Sequence, residues 1–175
     1  RIMEKKFSIC ILITGSLKKK INHVVNRLNF KNNEKFISIP HINILSGSYK
    51  NKKGLFNKFK KINFEKKKII KSIGIGVFAG KKNVIYLRFE NSNYIKKLRN
   101  HIYKIIKIRK SEIDLTATDL LWTPKCTLSL TKNNGKKFLS MLNLCKRKLS
   151  KHSFLTNELI LMDVFSNKEK ILKKK

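Results

Sequence analysis

Trp122-Thr-Pro-Lys-Cys-Thr-Leu-Ser-Leu130, read together with its fainter echo Ile39-Pro-His-Ile-Asn-Ile-Leu45, decides the fold. Each stretch has a proline, then a polar residue, an apolar one, a small polar one and an apolar finish. In an extended strand, successive side chains point to opposite faces. His41 and Asn43 then share one face, with Ile42 and Ile44 on the other. Lys125 and Thr127 likewise share a face, with Cys126 and Leu128 behind them. Two ribbons that each lend a pair of polar groups are what an internally duplicated fold uses to line a cleft between two lobes.

The flanking sequence fits such a duplication. Phe7–Ile13 is a continuous apolar run rich in β-branched residues, which predicts a buried strand, and Thr14-Gly15-Ser16 predicts a turn with an N-cap. Apolar residues at 17, 21, 24, 25 and 28 predict a helix. Pro40 lacks a ladder donor, so within 36–45 it marks an edge, a bulge or the beginning of the paired part. Next come a turn from Ser46, a helix over about 51–60, a strand over 66–75, a loop over Gly76–Gly80 and a strand over 83–89. Ser92 is the expected N-cap of a helix over 93–107. A polar connector over 110–119, the second motif strand over 120–130, a turn at 133–135, a helix over 136–149 and a closing strand over 153–165 follow. From Ser166 the lysine-rich tail is expected to fray or to lie on a partner.

The two motif stretches resemble the two-histidine (2H) phosphoesterase superfamily, which includes bacterial 2′–5′ RNA ligases, cyclic phosphodiesterases and the AMP-binding domain of kinase-anchoring proteins. That family's signature is a pair of His-x-Thr/Ser strands, often entered through proline or an aromatic residue. Here the pair reads His41-Ile42-Asn43 and Lys125-Cys126-Thr127. Ile75-Gly76-Val77-Phe78, followed by Val84-Ile-Tyr-Leu87, resembles the Gly-x-Phe segment and hydrophobic strand between the family's two motifs. The resemblance covers nearly the whole chain. It implies an α+β fold, a bilobal duplicated domain with antiparallel-rich sheets and flanking helices around a central cleft. One domain over 1–165 is expected, with lobes of about 1–80 and 81–165 and a basic C-terminal tail over 166–175.

What the resemblance implies for chemistry is two imidazoles acting as general acid and base on a phosphodiester, with hydroxyls holding its oxygens. Such a reaction needs two groups that exchange protons near neutrality, one on each side of phosphorus. His41 fits one role. A lysine amine titrates near about 10.4, so Lys125 is a charged donor and a poor base, the more so beside a phosphate. Asn43 can still donate to an oxyanion, and Thr127 keeps the family's hydroxyl. The pair His41 and Lys125 is therefore a degenerate catalytic pair, with Asn43 and Thr127 as the phosphate-binding groups. Cys126 points away from the cleft by alternation and is no candidate nucleophile.

Composition points to a polyanion. The formal charge is +32, from 42 basic and 10 acidic residues, and such self-repulsion calls for a neutralising partner. AT-rich codons favour lysine over arginine, but they favour aspartate and glutamate too, so codon drift does not explain the scarcity of acids. Lys50, Lys52, Lys53, Lys58, Lys60, Lys61, Lys66, Lys67 and Lys68 crowd one stretch that holds a single acid, Glu65. Lys96, Lys97, Arg99, Lys104, Lys107, Arg109 and Lys110 are interleaved with apolar positions on the following basic helix. Both sets are candidate RNA contacts, and Tyr49, Tyr94, Tyr103 and Trp122 are candidate stacking residues. Three cysteines without CxxC spacing fit a reducing intracellular compartment and argue against zinc or a disulfide framework. No metal or other cofactor is expected. The dinucleotide and P-loop glycine patterns are absent, as is any apolar run of membrane-spanning length. Starting at Arg1 leaves a cleaved presequence and an incomplete N-terminus both open.

The expectation is a catalytically degenerate 2H-like protein that binds RNA, most plausibly rRNA, beside neighbouring proteins of a ribonucleoprotein. A ribosome of a mitochondrion or other organelle is the favoured setting. An active RNA 2′,3′-cyclic or 2′–5′ phosphodiesterase and a nucleotide-sensing module are the alternatives.

Overall fold

The computed structural model describes residues 5–32, 36, 38–106, 122–132, 134–165 and 168–175. The elements run β1 (Lys5–Leu12), α1 (Gly15–Asn32), β2 (His41–Tyr49), α2 (Lys52–Lys60), β3 (Ile69–Phe78), β4 (Asn83–Phe89), α3 (Asn93–Ile106), β5 (Lys125–Thr131), α4 (Gly135–Leu149), β6 (Ser153–Leu155), β7 (Leu159–Phe165) and β8 (Lys168–Lys174). They build two antiparallel four-stranded sheets, in the orders β2-β1-β7-β8 and β5-β4-β3-β6. The fold is α+β and duplicated, as the resemblance implies.

The duplication is visible bond by bond. In the first sheet the register is Leu12 with His41, Ile11 with Ile42 and Cys10 with Asn43. In the second it is Arg88 with Lys125, Leu87 with Cys126 and Tyr86 with Thr127. After the third pair each motif strand carries one extra residue, Ile44 in β2 and Leu128 in β5, before pairing resumes. Each strand is also entered the same way. The carbonyl of Pro40 accepts from the amide of Ile13 at 3.0 Å, and that of Pro124 accepts from Phe89 at 2.9 Å. The prolines sit just before the paired part, where a missing donor costs no ladder bond.

The apolar faces of both sheets and the buried stripes of the helices form one continuous core. It contains Ile42 and Ile44 from β2, Cys126 and Leu128 from β5, Leu17 to Leu28 from α1 and Met141 to Leu149 from α4. Helices α1 and α4 pack on each other and against β5 and β3, while α2 and α3 form a second pair, with α3 against β2. The helices thus cover the sheet faces opposite the polar pairs.

Five expectations are corrected. The Ser46–Ser48 stretch is strand, not turn, because β1 partners each residue, and the buried hydroxyls of Ser8 and Ser46 satisfy each other at 2.9 Å. Gly76–Phe78 is strand rather than loop, paired with β4. The predicted closing strand is two strands in two sheets. At the break, the Thr156 amide donates to Lys68 O at 2.9 Å, and its carbonyl accepts from the Lys67 amide at 2.6 Å. The chain then crosses to the first sheet. With β7 beside β1, the lobes interleave the ends of the chain instead of dividing near residue 80. Nor does the tail fray. β8 pairs with β7, and Lys175 and Leu159 exchange backbone bonds at 2.8 and 2.9 Å. Backbone pairing is indifferent to charge, and lysines on an edge strand discourage further strands from adding. The connector over 110–119, Leu120, Leu121 and Asn133 lie outside the described residues.

Candidate nucleotide-binding cleft

The polar pair of β5 does not stand alone. Tyr86 lies opposite Thr127 and beside Gly76, so all three share a sheet face. Gly76 is what lets the tyrosine lie flat. A Cβ there would sit 2.4 Å from two of the ring carbons. Two residues on, and so on the same face, Phe78 stacks on Tyr86 with centroids 4.6 Å apart and planes 25° from parallel. The Lys125 ammonium lies over both rings, 5.0 Å from the Phe78 centroid and 6.0 Å from that of Tyr86. The negative ring faces hold the cation in place. Phe78 is 41% exposed, a large apolar side chain presented to solvent.

On the first sheet the imidazole of His41 is half-buried, with Nδ1 2.6 Å from the carbonyl of Ile39. A carbonyl only accepts, so Nδ1 carries the proton and the lone pair resides on Nε2. That is the tautomer a general base requires, whereas holding a phosphate oxygen calls for a proton on Nε2 as well. The Asn43 amide nitrogen donates to Ser46 Oγ at 2.6 Å, and the buried Oδ1 has no hydrogen-bond partner among the described residues. An acceptor there repels a phosphate oxygen. Turning the amide end for end lets Ser46 donate to Oδ1 and offers N–H in its place, which is the form the expected phosphate role needs.

The two motif strands lie against each other. Trp122, three residues before Lys125, donates from Nε1 to the Asn43 carbonyl at 3.3 Å, joining the two motifs across the sheets. Arg99 is buried at 6% exposure, its guanidinium 4.8 Å from the centre of the Trp122 ring. Arg99 is thus a support for that bridge, and the expectation of an exposed RNA contact is corrected.

Other expected residues fall as follows. Lys50, Lys52, Lys53, Lys60, Lys61, Lys66, Lys67, Lys96, Lys97 and Lys104 are exposed. Lys58 donates to the Ile106 carbonyl at 2.9 Å and ties α2 to the end of α3, while Lys68 pairs with Glu65 at 2.7 Å. Lys107, Arg109 and Lys110 lie outside the described residues. Tyr49 is buried edge-on against Phe7, and Tyr103 packs on the core. Tyr94 donates to the Glu65 carbonyl at 2.8 Å, and burial, the largest cause, pushes its hydroxyl up to about 12. None of these three offers a face to a base. The exposed ring on this face, Phe78, was missed, although Gly76-x-Phe78 at a spacing of two was the available signal; Tyr86 is buried behind it.

All three cysteines are buried and none is in a disulfide, and burial pushes the Cys145 thiol up to about 12. Among the described residues no cluster of three or more His, Cys, Asp or Glu side chains is placed to hold a metal ion. No described helix is long and apolar enough to cross a membrane.

The sequence matches no protein-family model. No curated protein is detectably similar to it. Solved structures are similar in fold along almost the full length. TT0787 of Thermus thermophilus superposes with a TM-score of 0.68 at 11% identity, covering 97% of this chain and 96% of that one. LigT of E. coli, solved with 3′-AMP, gives 0.65 at 11% identity over 98% and 97% of the two chains. A structure described as a phosphoesterase gives 0.61 at 9% identity over 98% and 97%. These neighbours are members of the 2H phosphoesterase superfamily, and the chain has their fold.

Proposed function

We propose that this chain is a catalytically degenerate RNA-binding protein on the 2H phosphoesterase fold. It grips a phosphodiester in its cleft without turning it over and serves as a structural component of a ribonucleoprotein, an organellar ribosome being the favoured one. The observation that carries this is the register equivalence of Lys125 and His41, each the first residue of its strand, each two residues before its polar partner. Where that family has its second imidazole, this chain has an ammonium seated over two aromatic rings. Such a cation attracts phosphate but does not take up a proton near neutrality, and losing one member of a cooperating pair forfeits most of the rate. LigT has been solved with 3′-AMP, ATP, phosphate and NADP+, which supports a phosphate-bearing occupant for this cleft. The +32 charge supports a longer polyanion beyond it.

Calorimetry with 3′-AMP and a 2′,3′-cyclic nucleotide, followed by product analysis, tests the cleft. Binding that Lys125→Ala and Phe78→Ala both weaken, with no conversion of the cyclic nucleotide, is expected. Conversion that disappears in His41→Ala would overturn the degenerate reading. Crosslinking in the native assembly tests the setting, and recovery of the chain only free of RNA would count against a ribonucleoprotein.

One observation favours the second reading, an active RNA 2′,3′-cyclic or 2′–5′ phosphodiesterase. The bond from Nδ1 to Ile39 O poises His41 Nε2 as a base, and Lys125 would then be the acid that protonates the leaving oxygen.

A further inference from the structure

Helices α1 and α4 lie side by side on the core face of the second sheet, away from Lys125 and Thr127. Between them runs a hollow of about 620 Å³, whose charged lining is Lys19, Lys20, Arg147, Lys148 and Lys151, joined by His23 and His152. A second hollow of about 530 Å³ shares Arg147 with it and adds Arg27 and Lys136. Among the described residues no carboxylate lines either hollow, and neither helix contains one.

A bland account covers part of this. Lys146, Arg147 and Lys148 occupy the last turn of α4, where cations stabilise the helix dipole. It does not cover Lys19, Lys20 and Arg27, which face them from the body of α1. Nor does it cover the concave shape. The floor is also rigid: the His152 amide donates to Ser72 Oγ, and the Ser72 amide returns a bond to the His152 carbonyl, each at 2.7 Å. Uncompensated cations held apart over a fixed trough raise the local concentration of an anion that fits it.

We infer that the trough between α1 and α4 is a second nucleic-acid site, separate from the cleft, which takes the sugar–phosphate backbone of a single RNA strand. Its width points to one strand, since packed helices stand about 8–10 Å apart and a duplex would touch only the rims. Among the described residues its lining contains no Phe, Tyr or Trp, and cations outnumber the two imidazoles, so contacts to the backbone dominate over stacking on bases. From Lys19 to Arg27 the helix rises about 12 Å, a span that meets more than one phosphate. A membrane surface fits less well, because a trough withdraws its charges from a flat bilayer.

The test uses fluorescent oligo-uridylate with the full chain. Lys19→Gln, Arg27→Gln and Arg147→Gln are combined, since all three residues are exposed. Lys5→Gln, Lys6→Gln and Lys170→Gln form a control of equal charge change on exposed positions of the first sheet. Thermal melts confirm that both variants fold. The trough variant is expected to bind about tenfold more weakly at moderate salt, with a log–log salt slope shallower by about 2, since each lost single-strand phosphate contact removes about 0.7. The control should bind as the parent does. Equal weakening by both triple variants would reduce the trough to diffuse charge and overturn the inference. So would loss of oligo-uridylate binding in His41→Ala, which would assign the strand to the cleft. An equal preference for duplex RNA would refute the single-strand fit. Vesicles of anionic lipid released by the trough substitutions, with oligo-uridylate unaffected, would give the surface to a membrane instead.

Discussion

Replacing Gly76 by alanine is expected to dismantle the aromatic wall of the cleft with one methyl group. Gly76 lies outside the left-handed backbone region, so alanine meets no conformational penalty there. The new Cβ would lie 2.4 Å from two ring carbons of Tyr86 and 2.6 Å from its hydroxyl oxygen. Carbon pairs rest at about 3.5–4.0 Å, so the ring must retreat by about 1 Å or more. It is hemmed in by Phe78, stacked at 4.6 Å, and by the Lys125 ammonium above both rings. Overpacking of this kind costs about 1–3 kcal/mol. The glycine-to-alanine change offsets about 0.4–1 kcal/mol by restricting the unfolded chain. A net loss of about 1–2 kcal/mol follows, a fall in Tm of about 2–8 °C for a chain of this size. Urea melts and nucleotide calorimetry on Gly76→Ala should show both the lost stability and weakened binding. The decisive comparison is the double-mutant cycle with Tyr86→Ala. Without the ring the methyl enters open space, and Gly76→Ala should then stabilise by about 0.4–1 kcal/mol. The same cost in both backgrounds would refute the reasoning.

Three further outcomes are expected. Lys125→His places an imidazole at the register position equivalent to His41, and slow turnover of a 2′,3′-cyclic nucleotide should emerge, with dependence on His41; its absence would mean that more than this side chain has been lost. Trp122→Phe removes the 3.3 Å bond to the Asn43 carbonyl and part of the Arg99 contact, and should cost about 1–2 kcal/mol in urea melts; an unmoved midpoint would show that the bridge does not hold the motifs together. Burial raises the Cys145 thiol from 9.0 to about 12, so its contribution is intact below pH 9 and lost as pH climbs toward 12, because the unfolded chain releases that proton first. The stability advantage of the parent over Cys145→Ala should therefore shrink by up to about 1.4 kcal/mol per pH unit above 9, and a constant difference would count against a buried neutral thiol.

The motif strands were legible because alternation alone separates His41 and Asn43 from Ile42 and Ile44, and the core confirms that division. The helices were legible from their apolar spacing, within one or two residues of the observed ends except at the end of α1, which runs to Asn32, four residues past the last apolar position of the pattern, Leu28. Illegible features were those decided at a distance. Nothing local in Ser46-Gly47-Ser48 says strand; the partner residues in β1 do. Nothing local in Thr156 says that the chain changes sheets, because its bonds are to Glu65, Lys67 and Lys68. Lysines in 168–175 read as a solvated tail, yet β7 offered an unpaired edge. Arg99 read as one more cation on a basic face, and its packing against Trp122, far along the chain, is among the contacts that bury it.

The duplicated register lets each half of the cleft be read against the other. Cys10 in β1 corresponds to Tyr86 in β4, and Ile160 in β7 to Gly76 in β3. The halves have therefore exchanged volumes: a small residue beside a large one in both, with the large one on opposite strands. Met162 likewise corresponds to Phe78, and Leu12 to Arg88. In the first sheet Cys10, Leu12, Ile160 and Met162 form a closed aliphatic cluster packed against Ile39 and Ile171. A base finds no stacking face there. In the second sheet the corresponding places hold two stacked rings and a guanidinium. On the proposed reading, a nucleotide in the cleft would set its base at Phe78 and its phosphate between Lys125 and His41. A ligand that bound equally well to Phe78→Ala would break that assignment, because the first sheet has no second platform to offer.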